Sequence, residues 1–585
     1  MDKATNFMIF TLFMLFTAVN MFKAETCKKG HVIPTIPLVI FLERVQESAL
    51  QAYGHKGFDP KLFVDMSLRK NLSETVEAFN KLPRTVNGSI SVNDLEGFIG
   101  NYLGGADEDL VYVEPVDYVA EPEGFLPKVK NSEVRAWALE VHSLWKNLSR
   151  KVSDHVLEKP ELYTLLPLKN PVIIPGSRFK EVYYWDSYWI IRGLLASKMY
   201  ETAKGIVTNL VSLIDEFGYV LNGARAYYSN RRQVHLRCLH MDSQPPVLAA
   251  MIVDIYNRTS DLDLVRRSLP ALLKESSGLN AFMGSHHSLS RYYAMWNKPR
   301  PESSTIDSET ASKLPNICEK RELYRELASA AESGWDFSSR WMRNESDLTT
   351  SSTTSILPVD LNAFLLKLEL DIAFLANIIG ESSTITCFTE ASQNRQKAMD
   401  CIFWNGEMGQ WLDYWLTDSN TSEVGIYKWE DLHQNKKSFA SNFVPLWTEN
   451  FSSDNITPQK VVQSLQSSGL LQPAGIAMTL SNTGQQWDFP NGWPPLEHII
   501  IEGLARSGLE EARALAKDIA VRWLRTNYVT YKKTGAMHEK YDVTKCGAYG
   551  GGGEYVPQTG FGWTNGVVLA LLEEFGWPED LKIDC

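Results

Sequence analysis

Apolar residues return at three- and four-residue spacing in five long stretches of the chain: 134–152, 187–218, 244–259, 360–380 and 510–533. That spacing lays an apolar face along a helix, and Gly, Pro or Asn bounds the stretches as helix-stopping residues do. Between them lie aromatic and Gly-rich loops with little of the two-residue alternation that marks strands. No Pro- or Ser-rich linker separates them. The pattern predicts one large all-α domain. Helical hairpins of this kind either stack into an open solenoid or close into a toroid of inner and outer helices. No fixed-period repeat of the solenoid type runs through the chain. The chemically unusual residues fall in loops, which a toroid gathers at one mouth, so the closed form is expected.

A different pattern opens the chain. Residues Phe7 to Phe22 form an uninterrupted apolar to weakly polar run, the length of a signal-peptide core and short for a membrane span. Of three readings, a cleaved signal, an uncleaved signal anchor and a mere hydrophobic tail, the two leading ones place the body outside the cytosol, secreted or held at the plasma membrane through residues 7–22. Eight Asn-x-Ser/Thr sequons, at Asn71, Asn87, Asn147, Asn257, Asn344, Asn420, Asn450 and Asn455, agree with a glycoprotein. The seven cysteines are too sparse for a disulfide scaffold and contain no Cys-x-x-Cys metal spacing. A net charge of −12 argues against nucleic acid or an anionic membrane surface as partner, since both would repel the chain. A neutral small molecule suits it better.

Four loop stretches carry candidate chemistry. Pro175–Trp189 reads PGSRFKEVYYWDSYW, and Gln485–His498 reads QQWDFPNGWPPLEH; each contains a Trp-Asp pair, Trp185-Asp186 and Trp487-Asp488. Such sets suit a sugar, whose C–H face packs on indole while its hydroxyls bond to Asp and Arg. In Ala331–Trp341, AESGWDFSSRW, a helix beginning near Glu319 should stop at Ser333-Gly334 and leave Asp336 just past its end. A carboxylate there is most often a cap or a salt-bridge partner and less often a catalyst. The fourth stretch, Met537–Gly566, holds Glu539, the run Gly550–Gly553 and then Glu554-Tyr555. No Gly-Lys-Ser/Thr follows the glycines and Glu554 would repel a phosphate, so they read as backbone that approaches a ligand closely. Taken alone, Glu539 reads as one half of a surface ion pair with Lys540.

The first two stretches resemble the signature motifs of the trehalases, and GGGGEY with GFGWTNG is similar to that family's C-terminal motif. The resemblance runs in order through residues 60 to 575 and is nearest to the plant type, secreted or membrane-anchored. It implies an (α/α)6 toroid that hydrolyses α,α-trehalose to two glucoses with inversion, without a metal or other cofactor. The implied layout is a signal segment over 1–24, an N-terminal extension over 25–59 and a catalytic domain over 60–580. Inversion needs a protonated carboxyl and an ionised one set apart by ~6.5–9.5 Å. The resemblance puts the acid at Asp336 and the base at Glu539. It assigns substrate contacts to Arg178, Trp185, Asp186, Asn222, Arg231, Gln244, Arg300, Glu302, Gly334, Trp487 and Glu554.

One departure bears on this site. Where the family reads Asn-Arg-Ser-Gln-Pro-Pro, the chain inserts RQVHLRCLHMD, residues 232–242, between Arg231 and Ser243. The expected effect is displacement of Arg231 and Gln244, with Arg232 or Arg237 as alternatives for the arginine. The insertion also carries Cys238; without it six cysteines remain, enough for all to pair. A stretch retained through transcript processing and a regulatory loop are the two accounts, the first favoured by the lack of Gly, Pro or Asn turn residues. Two other functions stay open: an inactive sugar binder, and a different helical-toroid glucosidase, which release of glucose from maltose instead of trehalose would reveal. Serine and zinc hydrolases are disfavoured by the lack of Gly-x-Ser-x-Gly and His-Glu-x-x-His. If the insertion displaces the arginine, deleting 232–242 raises glucose release from trehalose, by up to ~10²-fold. Equal rates for the purified full-length and deleted proteins would refute it.

Overall fold

The computed structural model describes residues 36–229, 240–241, 244–279, 289–416, 429–448 and 457–585, with backbone alone at 240–241 and 277–279. The apolar run at 7–22, Cys27, Arg231, Arg232, Arg237 and Cys238 lie outside them. No described helix is long and apolar enough to cross a membrane.

Two kinds of helix build the body. Helices such as Ser132–Leu148 and Tyr200–Phe217 are amphipathic; the first buries Val134, Trp137, Ala138, Val141, Trp145 and Leu148, a single stripe at three- and four-residue spacing. Asn131 caps it by accepting the backbone N–H groups of Glu133 and Val134. Helices such as Tyr184–Ala196, Pro494–Arg506 and Gly562–Phe575 are buried over nearly every position. A helix apolar on all sides must be enclosed.

These two kinds form concentric rings. Among the described residues, the inner ring comprises the helices Tyr184–Ala196, Leu248–Thr259, Val359–Ile379, Pro494–Arg506 and Gly562–Phe575 and the 3-10 stretch Ala440–Thr448. Each packs on the next, and Gly562–Phe575 returns to Tyr184–Ala196, which closes the circle. The helices Ser132–Leu148, Tyr200–Phe217, Leu262–Leu279, Ser382–Ile402, Pro458–Ser467 and Glu510–Thr534 stand outside. The fold is the expected (α/α)6 toroid.

Closure is a joint of two glycines. A Cβ on Gly566 would lie 1.9 Å from the Trp189 carbonyl oxygen, and one on Gly193 would lie 2.5 Å from the Gly566 Cα. The backbones of the first and last inner helices therefore touch directly.

The structure corrects two helix boundaries. The stretch 187–218 is two helices, because the chain reverses from the inner to the outer ring at Ser197-Lys198-Met199, with Lys198 at φ 61°. The stretch 134–152 ends its helix at Leu148, and Ser149–Val152 becomes a strand between Leu110–Tyr112 and Val172–Ile173. A second, smaller core gathers Leu38, Phe41, Leu42, Val45, Phe63, Phe79, Leu95, Phe98 and Leu103. It runs across residue 60, where the resemblance placed the start of the catalytic domain.

Cys546 and Cys585 form a disulfide, and Cys318 is also disulfide-bonded. Cys387 and Cys401 are free and exposed. They sit on one helix, Ser382–Ile402, ~21 Å apart at 1.5 Å per residue. That distance rules out a bond between the two, and the expectation that six cysteines all pair is not met among the described residues.

The glycine joint makes a stability prediction. Gly566→Ala forces a methyl group into occupied backbone space and is expected to cost ~3 kcal/mol or more. A chemical-denaturation midpoint equal to that of the unmodified protein would refute direct backbone contact.

Candidate active site

Five inner helices begin where a loop delivers a site residue. The first inner helix carries Trp185 and Asp186 in its opening turn. Its entry loop is fixed to residue 222 by the Tyr184 N–H, which donates to the Asn222 carbonyl at 3.0 Å. The loop before Val359–Ile379 brings Gly334 and Asp336, that before Pro494–Arg506 brings Trp487, and that before Gly562–Phe575 brings Glu539 and Glu554. Gln244 precedes Leu248–Thr259, and its Oε1 accepts the Trp185 backbone N–H at 3.0 Å. A two-residue ladder, Asn491↔Asp542 and Gly492↔Tyr541, sews the second signature stretch to the segment that holds Glu539.

These loops enclose a pocket of about 710 Å³, counting the solvent space at its mouth, within the size range of small-molecule sites. It contains Asp336, Glu539, Arg178, Trp185, Asp186, Asn222, Gln244, Arg300, Glu302, Gly334, Trp487 and Glu554. Of the residues that the resemblance assigned to catalysis or substrate contact only Arg231 is missing from this set, and it lies outside the described residues. Gln244 keeps its place in the lining despite the insertion.

The walls are indole. Trp487 stacks on Trp493 at 4.2 Å and on Trp335 at 5.0 Å, while Trp563 meets both Trp185 and Trp493 edge-on. Gly334 adopts φ 79°, and a Cβ there would lie 2.5 Å from the Trp185 ring. Only glycine both turns the chain and lets the Asp336 loop lie on that indole.

Glu302 and four further carboxyl groups share this space. Burial, helped by the Glu554 charge and opposed by Arg300, raises the Asp336 pKa well above the usual range. Burial also raises Glu539, but Lys540, the Tyr555 hydroxyl and the Gln558 backbone N–H all favour its ionised form. Tyr555 Oη donates to Glu539 Oε1 at 2.8 Å. Asp186 is pushed up to about 8, mainly by burial, with the Glu539 charge adding to it. At neutral pH it therefore holds a proton and can donate as well as accept. Glu554 is raised by burial and held against it by Arg300, whose Nη2 reaches Glu554 Oε1 at 2.9 Å and Asp307 Oδ1 at 2.7 Å. Among the described residues no group of three or more His, Cys, Asp or Glu is placed to hold a metal ion.

The family model described as Trehalase matches residues 56–576. The chain belongs to the trehalase family. It is 57% identical to a protein of Oryza sativa subsp. japonica described as "Probable trehalase", over 95% of this chain and 99% of that one. It is 52% identical to a trehalase of Arabidopsis thaliana, over 95% and 89%, and 38% identical to a Homo sapiens trehalase, over 88% and 86%. The solved neutral trehalase Nth1 from Saccharomyces cerevisiae shares the fold, with a TM-score of 0.51 at 23% identity over 69% of this chain and 73% of that one.

Within this trehalase-family pocket, three local readings need correction. Asp488 does not face the pocket like Asp186; its oxygens accept from the Ser338 and Ser339 hydroxyls at 2.7 and 2.9 Å and from the Ser339 N–H, which clamps the loop behind Asp336. The glycine run approaches protein, not ligand: a Cβ on Gly552 would strike the Gly484 carbonyl at 2.4 Å and one on Gly553 the Gln486 side chain. Glu539 is buried, 1% exposed, so its pairing with Lys540 is no surface contact. Lys540 bonds instead to Gln486 Oε1 at 2.9 Å, and the Gln486 amide donates in turn to the Asp336 carbonyl.

The pocket also contains Lys61, Phe179, Tyr183, Tyr228, Ser303, Gln486, Trp493, Tyr555 and Phe561, which the motifs did not single out as ligand contacts. Tyr555 had a signal, since it follows Glu554 directly in GGGGEY. Lys61 had none, because its neighbours in sequence resemble any helix start.

The Tyr555–Glu539 bond predicts a pH shift. A base works when ionised and is lost as pH falls through its pKa. Tyr555→Phe removes a donor that favours the carboxylate, so the acid limb of kcat/KM for trehalose should move to higher pH. An unmoved or lowered limb would contradict the role given to this bond.

Proposed function

We propose that the chain hydrolyses α,α-trehalose to two glucose molecules by an inverting mechanism, with Asp336 as general acid and Glu539 as general base. One observation carries the assignment of roles: the surroundings of the two carboxyls push them to opposite duties. Asp336 stands beside Glu554 and shares its burial with another anion, so it keeps its proton and can give it to the oxygen between the sugars. Glu539 has an adjacent lysine, a phenol and a backbone N–H turned to its anion. It can therefore take a proton from water on the other side of the sugar ring. Supply from opposite faces is what inversion needs.

The rest of the lining fits a neutral disaccharide. Indole faces from Trp185 and Trp487 suit C–H surfaces, and Arg178, Arg300, Asn222, Gln244, Glu302 and protonated Asp186 suit hydroxyls. The arginines meet carboxylates already in place, so the pocket does not demand an anionic substrate.

The same proposal extends to compartment. The apolar run at 7–22 and the Cys546–Cys585 disulfide both suit passage through an oxidising secretory route. The five sequon asparagines among the described residues, Asn71, Asn87, Asn147, Asn257 and Asn344, are all exposed and so open to glycosylation.

Two measurements test the mechanism. Asp336→Asn and Glu539→Gln should each lower turnover by ~10²–10⁴-fold with the fold retained; near-normal turnover in either removes that residue from its role. Proton NMR in the first minutes should show one α- and one β-glucose per trehalose, and α-glucose alone would exclude inversion.

A further inference from the structure

The second core reaches the pocket through a single turn at its edge. In that turn, Asp59 Oδ2 and Oδ1 accept from Arg178 Nε and Nη2, each at 2.7 Å. Nη2 also touches the Glu302 carbonyl at 3.4 Å. Nη1 makes no hydrogen bond to a described residue, and Arg178 lines the pocket.

The turn is held from behind. Gln46, on the helix Pro37–Tyr53, donates to the carbonyls of Pro60 and Pro301, each at 2.8 Å, and accepts from the Ser304 hydroxyl at 2.7 Å. Two residues on, Lys61 donates its backbone N–H to Asp59 Oδ1 at 3.0 Å and buries its ammonium between Asp65 and Glu181. The segment that the resemblance set outside the catalytic domain is thus fastened both to Arg178 and to the Arg300–Ser304 loop.

We propose that Asp59 is a positioning residue of the active site, locking the Nε–Nη2 edge of Arg178 so that Nη1 is the donor offered to the substrate. A bidentate carboxylate fixes both the direction and the plane of a guanidinium. Without it a three-carbon stem with free torsions carries the charge. Two rings give Arg178 its remaining support, with its guanidinium carbon 5.6 Å from the Phe179 centroid and 5.2 Å from that of Tyr555. Neither fixes rotation within the plane.

Asp59 has a second effect through charge. Arg178 favours ionised Glu539 and ionised Glu554. The groups that face Glu539 are Lys540 and Arg178, which favour its anion, the Tyr555 hydroxyl, and the carboxyls Asp336 and Asp186. Neutralising Arg178 in part, Asp59 tempers its pull on the base. Removing the Asp59 charge should therefore lower the pH at which Glu539 loses its proton.

This inference rests on the trehalose-hydrolysing reading of the pocket, and glucose release by the unmodified chain tests that reading by itself. A chain that releases none overturns both. Given an active chain, Asp59→Asn keeps the size of the side chain and removes its charge. We expect KM for trehalose to rise at least about tenfold, and the acid limb of kcat/KM to move to lower pH. Asp59→Glu keeps the charge but misplaces it; KM should rise while the acid limb stays where it was. A residue that merely braced the fold would lower thermal stability and leave both the limb and KM of the folded fraction unchanged. That outcome, or a limb that moves to higher pH in Asp59→Asn, overturns the proposal. If Asp59→Asn does not fold, the Asp59→Glu pair of readouts decides it.

Discussion

The contact between Gly193 and Gly566 is the condition on which the site depends. It joins the first inner helix to the last, which are separated by most of the chain, and it does so at backbone distance. Trp185 and Asp186 stand at the start of the first of these helices, and Glu539, Tyr555 and Trp563 arrive in the loop and opening turn of the last. With larger residues at the joint the helices would part by the width of a side chain. Protein interiors transmit such displacements instead of absorbing them. The edge-on contact of Trp185 with Trp563 and the position of Asp186 relative to Glu539 would both be lost.

Once closed, the ring creates an electrostatic problem that the pocket turns to use. Several carboxyls are drawn into a dry space where a second negative charge is expensive. The cations present are tied to particular oxygens. Arg300 goes to Asp307 and Glu554, Arg178 to Asp59, and Lys540 stands beside Glu539 while its ammonium bonds to Gln486. Asp336 receives less direct help than Glu539, so their proton affinities separate in the order that acid and base require. The chain Lys540–Gln486–Asp336 carbonyl adds a mechanical link between the two loops that the charges already couple.

Much of this was legible in the sequence, and the limits have physical causes. Helix spacing and loop-borne aromatics led to the toroid because enclosure demands apolar residues all round an inner helix, and that leaves a trace in composition. The break at Ser197-Lys198-Met199 left almost none: a left-handed lysine is a backbone choice imposed by the need to reverse direction. The motifs carried the carboxyls and most of the sugar-facing residues. They were silent on Asp59 and Lys61, which enter the site from the second core through contacts that span more than a hundred residues.

The two Trp-Asp pairs show most clearly what local sequence leaves undecided. Trp185-Asp186 and Trp487-Asp488 are the same dipeptide, and both tryptophans reach the pocket. Asp186 sits in a helix's first turn beside another carboxyl, and burial keeps a proton on it near pH 8. Asp488 is surrounded by hydroxyls and a backbone N–H, and it spends its oxygens on Ser338 and Ser339 instead of on a ligand. Burial raises both, yet Asp488 is supplied with hydroxyl donors while Asp186 has only its own backbone N–H. The difference lies in the loop of Ser338 and Ser339, which comes from a distant part of the chain to meet Asp488 and not Asp186. An aspartate's role here is a property of the hydrogen-bond donors around it, and those are assembled by the fold.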